Sequence, residues 1–322
     1  EEMGLLFVGT VPKNGMLGGA LAIYDLEERG EPEIYWNIVE DQSIISLAYA
    51  DGYLYGGTSI HGGQGGSPTQ SEAVLFVWDV AAAEIVYETV PAPGKTSITA
   101  LHVGPDGNIW GLANGALFIF DPGTREVVYS ANEFPSASGR WIDGSLVTGT
   151  DGNVYGTVDG KFFKVDAATK EVTVLATQAR HVAVDPFGHF YLYSPSGVIL
   201  YRYAIPDLVL SLTGAELSAS DAFVRVGEAL PVTVKAVLGE GDRARTVDLA
   251  GLPGASVEYA FSKRLSVQVE EDGSLTALRP GHVELAAKVT LGGVTVTSNQ
   301  IRVVISNASE NANPNVPSTP GR

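Results

Sequence analysis

The chain has no cysteine among its 322 residues. That excludes a disulfide framework, a thiolate metal site and a cysteine nucleophile, and it fits a chain that works outside a Gram-positive cell. Positive charge is scarce. Lysine and arginine total 20 against 37 aspartates and glutamates, for a formal net charge of -17. Binding to a nucleic-acid backbone depends on a basic surface, so no nucleic-acid partner is expected. No apolar run approaches the roughly 20 residues of a membrane span. No signal peptide is visible, and the chain opens on Glu1-Glu2 without an initiator methionine, as a mature or excised piece would. Catalytic signatures are also missing, with no HExxH, GxSxG or calcium-loop pattern.

Glycine is abundant, at 38 residues, which favours a turn-rich, all-β chain. The length suits about two domains. Four segments share one order of strand, tight turn, strand, loop, strand, turn, strand. The second reads SITALHVGPDGNIWGLANGALFIFDPGTREVVYSANEF and the third GSLVTGTDGNVYGTVDGKFFKVDAATKEVTVLATQ. Their first turns carry Asp51-Gly52, Asp106-Gly107 and Asp151-Gly152, residues that accept the positive φ of a hairpin turn. Their third strands close on an aspartate: Asp79, Asp121 and Asp166, with Asp25 in a shorter unit upstream. A period of roughly 40 residues with four short strands is that of a β-propeller blade. The upstream unit lacks its first strand and the last, RHVAVDPFGHFYLYSPSGVILYRYAIP, lacks its fourth. The expectation is a partial propeller of about five blade units. It would continue upstream of Glu1, or its first and last units would join as one composite blade, because a ring needs its edges protected.

GPDGNIWG, TDGNVYG, FDPGTREVV and VDAATKEVTV resemble bacterial extracellular propellers of the NHL, YVTN and streptogramin-lyase-like kind over about residues 4 to 206. After Pro206 short strands alternate apolar and polar residues, the pattern of a compact β-sandwich. The run VQVEEDGSLTALRPGHVELAAKVTLGGVTVTSNQIRVVI resembles a bacterial Ig-like domain of group 2. That resemblance implies a secreted or cell-surface multidomain protein in which such domains are spacers or adhesive units. The domains expected are therefore 1–206, propeller blades; 207–306, Ig-like sandwich; and 307–322, a proline-bearing disordered linker that leads to a further domain.

Residues 56–72, GGTSIHGGQGGSPTQSE, contain no lysine and precede no helix, so they are not a phosphate loop. In the blade order they join strands two and three, on the face where connections between blades also emerge. Their counterparts ANG and VDG are short, and long loops on rigid scaffolds tend to be functional. His61, Gln64 and Thr69 are candidate ligand contacts, set against the alternative of a mobile insertion. Lys95, Arg140 and Arg180 precede successive first strands, with Trp141 and His181 beside them. Such cations suit a uronic-acid carboxylate and the indole a sugar ring. Their alternative is solvated charge, paired with Asp41 or Glu40. The acidic turns at 25–33 and 270–273 read as solvated, so no metal and no cofactor is assigned.

The function expected is a secreted or cell-surface module whose propeller face binds an extracellular glycan, acidic in the sharpest form, or a protein. A polysaccharide lyase is the alternative, with His61 or His181 as the base and Arg140 or Arg180 neutralising the carboxylate. A purely structural surface protein is the third reading. Binding is preferred because no catalytic constellation recurs.

Overall fold

The computed structural model describes residues 4–28, 30–137, 143–249, 252–270 and 272–307. The chain is all-β, and among the described residues no helix is long and apolar enough to cross a membrane. It divides into two compact units, Glu1–Val209 and Leu210–Arg322.

Among the described residues the first unit is a run of five antiparallel sheets, each a simple up-and-down meander. Sheet A holds β1 (Leu5–Gly9), β2 (Ala20–Asp25) and β3 (Glu33–Trp36). Sheet B holds β4 (Ser43–Ala50), β5 (Tyr53–Ser59), β6 (Leu75–Asp79) and β7 (Glu84–Thr89). Sheet C holds β8 (Ile98–Val103), β9 (Ile109–Ala113), β10 (Ala116–Asp121) and β11 (Glu126–Ala131). Sheet D holds β12 (Gly144–Thr148), β13 (Val154–Val158), β14 (Lys161–Val165) and β15 (Val172–Thr177). Sheet E holds β16 (Arg180–Val184), β17 (Phe190–Tyr193) and β18 (Leu200–Tyr203). These are blade-type sheets, three of them four-stranded. The first strands β4, β8, β12 and β16 lie side by side. Sheets A and E stay separate, so the expected composite blade does not form among the described residues.

The turn chemistry repeats atom for atom. The Oδ1 of Asp25 accepts the N–H groups of Glu27 and Glu28. Asp79 does the same for Ala81 and Ala82, Asp121 for Gly123 and Thr124, and Asp166 for Ala168 and Thr169. An aspartate turn of this kind competes with the strand ladder and ends it. Cross-strand pairs repeat as well. Gly56, Gly111 and Gly156 face Phe76, Phe118 and Phe163. A Cβ on Gly111 would lie 2.1 Å from the Phe118 ring, so the ring needs a neighbour without a side chain. Apolar clusters fill each seam between sheets: Leu54 and Trp78 with Leu21, Ile109 and Phe120 with Tyr55 and Val77, Val154 and Val165 with Trp110 and Ile119. Tyr55, Trp110 and Tyr155 are all buried; they pack the seams, as their recurrence in strand two implies.

Sheet E ends in a 3-10 turn at Pro206–Leu208 that stays with the first unit. Leu208 is buried there beside Phe162 and Phe190, and its carbonyl accepts the Thr150 hydroxyl. The described residues of the second unit form three sheets. Its longest strand among the described residues, Gly281–Leu291, buries Val283, Leu285, Ala287, Val289 and Leu291 and exposes His282, Glu284 and Lys288. That is the alternation of a sheet with one face on a core. Asn299 caps the unit: its amide accepts from Leu217 N–H and donates to Leu217 O, as a strand residue would.

Candidate functional site

The loop after β5 and the segment before β8 meet on one side of sheets B and C. Ile60 N–H donates to Thr96 O and Ala73 N–H to Lys95 O, so both ends of the loop are fixed to the same segment. Ser59 and Ser97 add a buried hydroxyl pair at 2.7 Å. His61, half-buried, and Lys95 are thus brought into one neighbourhood.

The loop is clasped by a second loop. Its counterpart in sheet A, the loop between β1 and β2, is also long, and the two lock through their main chains. Gly15 N–H donates to Gln64 O and Gly63 N–H to Met16 O. A Cβ at Gly62 would lie 2.1 Å from Met16 O, and one at Gly63 2.0 Å from Lys13 O. The glycines therefore permit close backbone approach. Gln64 keeps an exposed side chain, whereas Thr69 donates to Asp41 at 2.7 Å.

Two of the candidate cations, Lys95 and Arg180, are held in place. Lys95 Nζ donates to Asn114 O at 3.2 Å and Asn132 Oδ1 at 2.9 Å. Its acceptors are neutral, and it forms no ion pair among the described residues. Asn114, buried and at φ 42°, takes three donors on one oxygen: Thr96 N–H, the Thr96 hydroxyl and Ser97 N–H. Glu72 accepts Gly94 N–H at 2.6 Å nearby. Arg180 is paired with Asp143 and donates to Pro195 O at 2.9 Å, so Asp143 takes the place expected for Asp41 or Glu40. His181 is exposed and at φ 46°, on a strand irregularity between Arg180 and Val182. Arg140 and Trp141 lie outside the described residues.

Asn114, Glu72 and the loop 10–19 were not found by sequence reasoning. Asn114-Gly115 reads as a turn, but nothing in the dipeptide reveals that the side chain organises the neighbouring segment. Among the described residues no group of three or more His, Asp or Glu side chains could hold a metal ion.

The inner strands are joined by polar bonds. Ser46 Oγ donates to Ile98 O, His102 Nε2 pairs with the Thr148 hydroxyl at 2.7 Å, and Ser145 Oγ accepts Val182 N–H. Burial holds the His102 pKa below its ordinary value. On the Asp-Gly turns, burial alone would raise the Asp106 and Asp151 carboxyls. Hydrogen bonds outweigh it and hold both below the usual range, from Trp110 and Asn108 to the first, and from Asn153, Lys164 and Tyr155 to the second. Tyr155 is pushed up by burial and by Asp151. Asp106 is exposed and Asp151 half-buried, and each holds side chains of its own sheet.

The geometry defines an all-β chain of blade-type sheets, with one long loop and Lys95 on the same side of sheets B and C. No protein-family model matches the sequence, and the search of curated proteins found no match. Among solved structures, one similar chain is the extracellular domain of a hybrid two-component system of B. thetaiotaomicron. It shows 13% identity and a TM-score of 0.33 over 94% of this chain and 55% of that one. Another is the extracellular domain of a one-component system of the same organism, at 10% identity and 0.37 over 94% and 56%. A structure of the mitotic checkpoint complex matches at 13% identity and 0.42 over 62% and 63%. This chain spans less than two thirds of the length of each.

Proposed function

We propose that this protein is a secreted or cell-surface binding module. Its first unit recognises an extracellular glycan bearing carboxylates through the face around the 60–72 loop and Lys95. Its second unit is an Ig-like spacer that carries that face, within a longer multidomain protein. The observation that supports this reading is the state of Lys95. Its ammonium is fixed by neutral acceptors, so on a chain of net charge -17 it retains a positive charge for a ligand. Fixing a cation before binding reduces the entropy lost on association. Arg180, by contrast, is already neutralised by Asp143, which disfavours a lyase that would use it to hold a substrate carboxylate.

The test is retention on immobilised uronic-acid polymers and their neutral counterparts. The parent binds the acidic polymer more tightly, and binding weakens as salt rises, since exposed charges are screened over about 10 Å at 0.1 M. Lys95→Ala loses about tenfold in affinity, the order of one charge-assisted hydrogen bond. Equal retention of acidic and neutral polymers, or none of either, sinks the reading.

A further inference from the structure

Each sheet of the first unit has two apolar faces, and the repeat shows what each face is for. The face towards the preceding sheet carries a cross-strand pair just before the third-strand aspartate. The pairs are Leu54 with Trp78, Ile109 with Phe120, and Val154 with Val165. All six are buried against the sheet before. In sheet A the equivalent pair is Leu6 with Tyr24, yet they are 48% and 38% exposed. Ile34 and Trp36 lie beside them, and Trp36 is 71% exposed.

The face towards the following sheet carries Tyr55 with Val77, Trp110 with Ile119, and Tyr155 with Lys164. In sheet E the equivalent pair is Tyr191 with Arg202, followed by Tyr193 with Leu200. Tyr191 OH donates to Asp185 as Tyr155 OH donates to Asp151. The cation is no obstacle, because Lys164 occupies the same register position in sheet D, which packs on sheet E. Tyr193 and Leu200 are nonetheless 45% and 55% exposed.

We propose that the open face of sheet E in one copy of this chain docks on the open face of sheet A in another. The contact would continue the blade-on-blade packing already present at the seams within the chain. Both halves are present in every copy, and each is the kind of face that the other kind covers elsewhere. Contiguous exposed apolar faces mark association surfaces. Because the two faces differ, the contact is heterologous, and it generates rings or open chains of copies.

Sedimentation velocity over a range of concentrations tests this, with Trp36→Lys and Leu200→Lys each disabling one face. The parent gains mass with concentration. Each variant alone stays monomeric, with an unchanged circular-dichroism spectrum. An equimolar mixture forms a species of twice the monomer mass and nothing larger, since each variant keeps the face that the other lacks. Should Leu200→Lys disturb the fold, Tyr193→Lys disables the same face. A parent that is monomeric throughout overturns the proposal and leaves these faces to sheets of other origin. Association that survives in one variant alone, or a mixture that stays monomeric, also overturns it.

Discussion

Single side chains hold the seams, and they respond to pH and to truncation in different ways. His102 has a folded pKa depressed below its ordinary 6.5 by burial. Below pH 6.5 the unfolded chain therefore binds a proton that the native protein resists. Stability should fall as pH drops from 6.5 towards the folded value and level off beneath it. Denaturant melts of the parent and of His102→Gln, at pH 7.5 and pH 5, check the sign. The variant should lose less stability between them, and equal losses would exclude the histidine. Asn114 makes the sharper case. Removing its side chain in Asn114→Ala leaves the buried Ser97 N–H without its acceptor, at a cost of about 1–3 kcal/mol. The same change frees the Thr96 end of the candidate site, so affinity for the acidic polymer should drop along with the melting temperature. A variant with parental values of both would show that this oxygen organises nothing.

Among the elements, those that repeat were legible in the sequence and those that meet across sheets were not. Asp51 and Gly52 announced a hairpin because both must take positive φ, and they do so at 49° and 85°. Asp79, Asp121 and Asp166 announced the ends of third strands because a carboxylate that caps its own turn interrupts the ladder. The order of turns also shows which strand sheets A and E each lack. The clasp was invisible, because the pairing of 10–19 with 60–66 depends on the adjacency of sheets A and B. Neither loop has a periodicity to expose it. The capture of Lys95 by Asn114 and Asn132, and of Arg180 by Asp143, was hidden for the same reason: charge is visible in sequence, its partner across a seam is not. The clasp predicts that Gly63→Ala, whose Cβ meets Lys13 backbone at 2.0 Å, costs about 1–3 kcal/mol through overpacking. Hydrogen exchange at 60–66 should accelerate beyond that at the Asp-Gly turns. Uniform acceleration would mean that the loop is not locked locally.

At the scale of the whole molecule, the second unit buries an apolar set of its own, Leu217, Ala236, Val283, Leu285 and Val303 among it, so residues 210–307 expressed alone should melt cooperatively with a β-sheet circular-dichroism spectrum. A chain without a transition would show that this core depends on the first unit. The claim on which the functional account rests is that ligand meets the face carrying the 60–72 loop and Lys95, opposite the Asp-Gly turns. Hydrogen-exchange mass spectrometry with and without a saturating uronic-acid polymer tests it most directly. The account predicts added protection in peptides spanning 60–72, 94–97 and 114–115, and none at 51–52, 106–107 or 151–152. Protection centred on those turns, or no protection anywhere, would contradict it.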